Sequence, residues 1–441
     1  MPTQAPLRRE LGLRDLTLFA ITCIVSARWI PIAAHAGPGS ITLWLLAALF
    51  FMAPLAIAVA TLVAKYPGAG GLYLWTRQDF GAWHGFLSFW IYWMGTAFLF
   101  PTAALLYVRV GFSMFGPAFG RLGDKRYYLL AATIALVWIA LGSNLIGLKF
   151  GKWTENIAAL STWALGLLLI GVAWTVWTRR GSATPMQIVP RWNWGTVNFW
   201  AAIAYAMSGM ENPGMMAAEV RDPERTMRRA GWIASAFTTA FYVSATIAFL
   251  VILSPQNISE LNGFAQVGDS AGALLHAPWL SPVIALLVVA GGVGLVGGTG
   301  TATSRLPFAA GVDRLLPAAF GRIHPKWGTP YVSILALGLV ATFLLVAYQL
   351  GDTMRAAYDE LVSLMVITGF LPYLYIFGSA WKAGKRLSAA SGGATTALAL
   401  ICTVVPPAEI THVWLFETKL AAGTLAVVAS AWLVYRRGRR S

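Results

Sequence analysis

Residues 208–214 read Ser208-Gly209-Met210-Glu211-Asn212-Pro213-Gly214, and residues 26–31 read Ser26-Ala27-Arg28-Trp29-Ile30-Pro31. Each stretch lies inside a long apolar run, and each carries an ionisable side chain, Glu211 or Arg28, where charge is costly and usually functional. Pro31 and Pro213 have no backbone N–H to donate and hinder the turn before them. Gly209 and Gly214 weaken a helix further. Breaks are therefore expected near residues 26–30 and within 208–214. The plainer alternative is a pair of proline kinks in structural helices, which membrane proteins tolerate.

The rest of the chain sets the medium. Of its 441 residues 58% are hydrophobic and 11% charged, and mean hydropathy is +0.66. A soluble chain is about 25% charged. A helix crosses the roughly 30 Å of bilayer hydrocarbon with about 20 apolar residues, and none of the short alternating strands of a barrel are visible. Apolar runs give twelve segments, near 15–36, 40–64, 83–111, 127–147, 153–178, 196–219, 229–253, 280–308, 331–349, 356–380, 388–406 and 416–435. The eleventh is the weakest, with Gly392, Gly393, Pro406 and Pro407 crowding its ends. Residues 66–80, with Gly68, Gly70 and Gly71, read as a turn plus a short interfacial helix. No stretch outside the spans is long enough for a second domain.

The net charge of +15 points to topology, not to nucleic acid. With the N-terminus inside, 22 of the 32 Lys and Arg fall on inner segments, nine on outer ones, and Arg28 inside a span. That is the bias expected of an inner-membrane protein with both termini cytoplasmic. Arg8, Arg9 and Arg14 precede the first apolar run, and Ala34-His35-Ala36 imitates a signal-peptidase site. Arg28 interrupts the run, so it reads as an uncleaved first span. Cys23 and Cys402 sit in apolar runs and read as core residues. The run Gly291 to Gly300 lies in an apolar helix without a flanking strand, which argues against a nucleotide loop. The histidines are scattered. No cofactor, metal site or catalytic set is expected, and a membrane-embedded enzyme is the weaker reading.

Spans 1 and 6, the two with expected breaks, each open a five-helix unit. Paired interrupted helices in two halves are the best sequence pointer to a transporter's binding site. Freed amides at a half-helix N-terminus suit a carboxylate, and freed carbonyls suit an ammonium group. A zwitterion matches both.

At these residues the chain resembles the amino acid–polyamine–organocation superfamily, over most of residues 12–380. Ala36-Gly37-Pro38 resembles the motif after its first span. Tyr66-Pro67 with Gly70-Gly71-Leu72-Tyr73-Leu74-Trp75 resembles that after the second. Ser208-Gly209-Met210-Glu211-Asn212 resembles its Gly-Phe-Glu, and Glu219-Val220-Arg221-Asp222-Pro223-Glu224-Arg225 the loop that follows. Ser304-Arg305, Asp313-Arg314-Leu315-Leu316-Pro317 and His324-Pro325-Lys326-Trp327-Gly328-Thr329-Pro330 resemble the segment after span 8. Ser26, Arg28 and Pro31, with Phe98-Leu99-Phe100-Pro101-Thr102, are most similar to the glutamate/γ-aminobutyrate antiporter branch. Thr162 stands where some proton-coupled members carry a lysine.

The resemblance implies an all-α membrane protein. Twelve helices would form a leucine-transporter-like five-plus-five inverted repeat, over about 15–178 and 196–380, with accessory helices at 388–435. It implies secondary active transport of amino acids or similar zwitterions by alternating access, as an antiporter or coupled to protons. A polyamine carrier of the same fold is the alternative, and a homo-oligomer is left open. Substrate would meet Ser26, Ala27, Arg28, Trp29, Tyr205, Met207, Ser208, Gly209 and Met210. Glu211 is either a proton-coupling group or a hydrogen-bond partner of the broken helix. Trp90, Tyr92, Trp93 and Phe98 are lining candidates. The 221–229 charge cluster is expected to be a solvated inner loop, with an inner gate as the alternative.

Overall fold

A computed structural model describes residues 9–190, 197–349, 354–405 and 413–439. Arg8, Pro406, Pro407 and the 196 end of span 6 lie outside them. Among the described residues the chain is helical throughout, and one isolated backbone bridge, Leu11 to Val220, takes the place of any sheet. The surface is turned inside out relative to a soluble protein. Leu167 and Phe343 are each 70% exposed, while Arg28, Glu211, Glu219 and Arg305 are buried. This is the distribution of a multi-pass membrane protein with lipid as its outer solvent.

Nine of the described helices are long and apolar enough to cross a membrane, and a bent pair, Leu13–Ile24 with Trp29–His35 at 49°, makes a tenth crossing. The count of twelve goes beyond these ten. Its two further segments are span 9, Tyr331–Gln349, and span 6, divided into Val197–Ala206 and Glu211–Met215. The Gly71–Phe80 helix lies between glycines of positive φ at Gly70 and Gly81, as the turn-plus-short-helix reading requires.

The breaks fall at residues 25–28 and 207–210, slightly ahead of the prolines. Trp29-Ile30-Pro31 and Glu211-Asn212-Pro213 open the restarted helices, with proline third in each. A first-turn proline withholds an N–H that had no helical partner in any case. The prolines thus start the second halves; they do not interrupt them.

The Gly291 to Gly300 run is a packing surface. A Cβ built on Gly294 would lie 2.1 Å from Ala158 Cβ and 2.9 Å from Thr22 Cγ2. On Gly292 it would meet the Tyr107 ring at 2.2 Å, and on Gly298 the Cys23 sulfur at 3.2 Å. Without side chains there, the Leu280–Thr303 helix lies directly against Leu13–Ile24, Ala82–Ser113 and Leu148–Arg180. Overpacking of a tight core typically costs about 1–3 kcal/mol. Gly294→Val is therefore expected to lower the thermal unfolding midpoint in detergent, and an unchanged midpoint would contradict this packing.

Candidate functional site

The first break begins where Val25 turns to extended backbone, φ −76° and ψ 111°. Side chains of other helices satisfy what it frees. The Ser26 amide donates to the Tyr242 hydroxyl at 2.9 Å, and that hydroxyl lies 3.2 Å from the Ile24 carbonyl as donor. Ser26 Oγ is 2.9 Å from the Tyr107 hydroxyl. Tyr242 is itself held by stacking on Trp44, centroids 4.4 Å apart. The amides of Ala27 and Arg28 find no partner among the described residues, which leaves two donors at the break.

Span 6 closes on itself through Glu211. This carboxylate accepts from the Tyr92 hydroxyl, the Tyr373 hydroxyl at 2.7 Å and the Gly209 amide at 3.2 Å. Asn212 Nδ2 donates to the Gly209 carbonyl at 3.1 Å. Gly209 has φ +111°, and an added Cβ would sit 3.0 Å from the Cys23 carbonyl. Glycine is needed there both for the dihedral and because the two breaks touch.

Between the breaks lies a cavity of about 40 Å³. Of the residues singled out in the sequence, Ser26, Trp29, Tyr205, Ser208, Gly209 and Glu211 line it. Cys23 and Thr299 add two groups that sequence reasoning had not assigned to it. Ala27, Arg28, Met207 and Met210 stand behind the lining. The volume suffices for a few waters and is too small for an amino acid. The rings of Trp29 and Tyr205, which both line it, meet edge-to-face at 5.9 Å. Tyr205 is backed edge-to-face by Phe370 at 5.2 Å.

The span 3 candidates need correction. Tyr92, Thr96 and Leu99, spaced four and three apart, form the stripe that faces the cavity. Trp90 lies off that stripe and donates its indole N–H to Ser430 of the last helix at 2.9 Å. Trp93 packs against Trp90, centroids 5.7 Å apart, and Phe98 is buried one position from Leu99. All three are packing residues by the helical period.

Arg28 is fully buried. It stacks on Trp29 at 4.1 Å, donates from Nη1 to Thr102 Oγ1 at 2.7 Å, and leaves Nε and Nη2 without a partner. Among the described residues it makes no ion pair with Glu211 or any other carboxylate.

At the end of the bundle that carries the N-terminus, the buried charge pair is Arg305 with Glu219. It is bidentate at 2.9 and 3.1 Å, with both side chains 1% exposed. Beside it Asp313 accepts from Arg77 and, at 2.5 Å, from the Tyr73 hydroxyl. Arg221, Arg225, Arg228 and Arg229 are exposed, but the expected loop is short: Arg225, Arg228 and Arg229 already lie in the first two turns of the Pro223–Ile252 helix, opened by Pro223 at its first position. Tyr107, Tyr242 and Tyr373 were not foreseen. Their signal was a phenol within an apolar span, since a buried hydroxyl has to find a partner.

Comparison with known proteins agrees with this geometry. Residues 11–409 match the amino acid permease family. An uncharacterized transporter of Legionella pneumophila is 25% identical over 98% of this chain and 97% of its own. A glutamate/serine transporter of Bacillus subtilis, AimA, is 24% identical over 83% of this chain and 70% of its own. The crystal structure of MhsT in complex with L-phenylalanine covers 98% of this chain and 100% of that one, with TM-score 0.62 and 15% identity. That likeness shows the leucine-transporter-like fold. The chain belongs to the amino acid permease family, within the amino acid–polyamine–organocation superfamily, and is an amino acid transporter.

Proposed function

We propose that this chain is a secondary active carrier of neutral or acidic amino acids, working by alternating access as an antiporter or with protons. The single observation that carries the reading is the pair of touching breaks around a polar cavity. The unpartnered amides of Ala27 and Arg28 suit a substrate carboxylate. Main-chain carbonyls of span 6, with Ser26 and Ser208 Oγ, suit its ammonium group. Residues 15–178 and 196–380 form the two inverted repeats, each opening with its broken helix, and 388–435 is accessory. The bias of basic residues supports a bacterial inner membrane with both termini in the cytoplasm.

Arg28 sets the substrate charge. A buried guanidinium with two free donors and no carboxylate partner repels cations and favours acidic groups. That disfavours the polyamine reading. The relative named for glutamate and serine and the neighbour solved with phenylalanine agree with a neutral or acidic range.

In proteoliposomes, counterflow of labelled glutamate or a neutral amino acid is expected to saturate. Other neutral or acidic amino acids should compete, and putrescine and arginine should not. Linear flux without counterflow would indicate a channel, and uptake of putrescine or arginine alone would overturn the substrate assignment. Arg28→Ala is expected to raise KM for an acidic substrate about 10- to 100-fold, the roughly 1.5–3 kcal/mol of a hydrogen bond to a charged group. An unchanged KM would remove Arg28 from recognition.

With three donors aimed at it, Glu211 acts in this reading as the anchor of the span 6 break. Glu211→Gln should lower transport at every pH without moving the profile, because an amide –NH₂ would face a donor. A displaced pH profile would make Glu211 the proton carrier instead.

A further inference from the structure

Span 5 holds a second buried carboxyl that the substrate site does not use. Glu155, on the Leu148–Arg180 helix, is 7% exposed, and its Oε1 is sealed without a hydrogen-bond partner among the described residues. It lies within electrostatic reach of Arg305 and Glu219. Among the described residues Arg305 makes no hydrogen bond to it. Nε and Nη2 go to Glu219, and Nη1 to the Thr301 carbonyl at 2.6 Å and Ser304 Oγ at 3.1 Å. Arg305 is thus paired with Glu219, and Glu155 is a second buried carboxyl within its electrostatic reach that has no partner of its own, where an unpaired charge is costly.

The surroundings connect this carboxyl to both sides. Cys23 lines the substrate cavity and also lies within electrostatic reach of Glu155. Thr299, another lining residue, and Thr301 have buried hydroxyls without partners. Thr22 donates from Oγ1 to the Glu155 carbonyl at 3.2 Å, tying the Leu13–Ile24 half-helix to span 5. One turn below, Lys152 pairs with Asp15 of that half-helix at 2.6 Å. The ionisable groups within electrostatic reach of Glu155 are therefore Cys23 from span 1, Arg305 and Glu219, while Asp15 and Lys152, one turn away, are paired with each other. The Leu280–Thr303 helix has no ionisable residue, and Pro223–Ile252 turns Arg225, Arg228 and Arg229 to the exposed surface.

The geometry points to Glu155 as the proton-binding site of the transport cycle, loaded while the inner mouth is shut by Arg305–Glu219 and emptied into the cytoplasm when that mouth opens. This rests on the proton-coupled reading of the function. The proton comes from water in the outward-open cavity, past Cys23 and Thr299, onto the carboxylate. It leaves to cytoplasmic water once the Leu13–Ile24 half-helix moves off span 5, and no other bond is made or broken. Thr162, the position where a lysine would have served, is two turns further along the same helix and donates to the Ala158 carbonyl at 3.0 Å.

The test uses the full chain in proteoliposomes loaded with a pH-reporting dye. Wild type is expected to show amino acid counterflow without a pH gradient, and faster net uptake with acid outside, accompanied by lumen acidification. Glu155→Gln should keep counterflow, yet lose both the acceleration and the acidification. Glu155→Gln with wild-type acceleration and acidification overturns the proposal, as does a wild type with counterflow but no substrate-dependent proton entry. A wild type without counterflow defeats the carrier reading itself. Should Glu155→Gln fail to fold, Glu155→Asp is expected to retain coupling with a displaced pH midpoint, and an undisplaced midpoint overturns the assignment.

Discussion

Main-chain polar groups inside a bilayer must be satisfied from within the protein, and at residues 25–28 and 207–210 that task falls to Tyr242, Tyr373, Glu211 and Asn212, with Tyr107 and Tyr92 bracing the side chains of Ser26 and Glu211. Tyr107 and Tyr242 hold the first break; Tyr92 and Tyr373, through Glu211, hold the second. These hydroxyls come from spans 3, 7 and 10. Each broken helix is thus fastened to helices that do not break, while Gly209 brings the two breaks into contact. The cavity exists because the fastening consumes only part of the freed backbone.

The motifs scattered along the chain converge at the end of the bundle that carries the N-terminus. Gly71 packs on Met215, an added Cβ lying 2.9 Å from its Cα, and Gly214 packs on the Trp75 ring at 2.7 Å. Tyr73 and Arg77 meet Asp313, Glu219 meets Arg305, and Leu11 bridges to Val220. Segments following spans 2, 6 and 8 are therefore partners in one plug beneath the site. Its ion pair is buried, and separating such a pair without new partners is expensive. Opening thus calls for water or another charge to replace what is lost, and Glu155 stands beside the pair that would part.

Much of this was legible in the sequence because it follows from periodicity and from residues that membranes exclude. The apolar runs, the short helix after Gly70-Gly71 and the two breaks came from hydropathy, glycine and proline. The break positions shifted by a few residues because a proline serves equally well in a first turn as in a gap. The roles of Trp90, Trp93 and Phe98 were not legible. Span 3 is aromatic on several faces, and only tertiary contact with Ser430 shows which face meets the last helix. Long-range partners such as Tyr242 with Ser26, 216 positions apart, leave no local pattern. Glu155 escaped notice because its contact with span 1 is through its main-chain carbonyl and its charged neighbours, Glu219 and Arg305, lie on helical segments far away in sequence.

An experimental structure with a saturating amino acid substrate tests the central claim most directly. Both helices are expected to be interrupted at 25–28 and 207–210, with the substrate's carboxylate at the Ala27 and Arg28 amides and its ammonium group at span 6, the rings of Trp29 and Tyr205 displaced around it. Continuous helix through either segment, or substrate bound away from both, would contradict it.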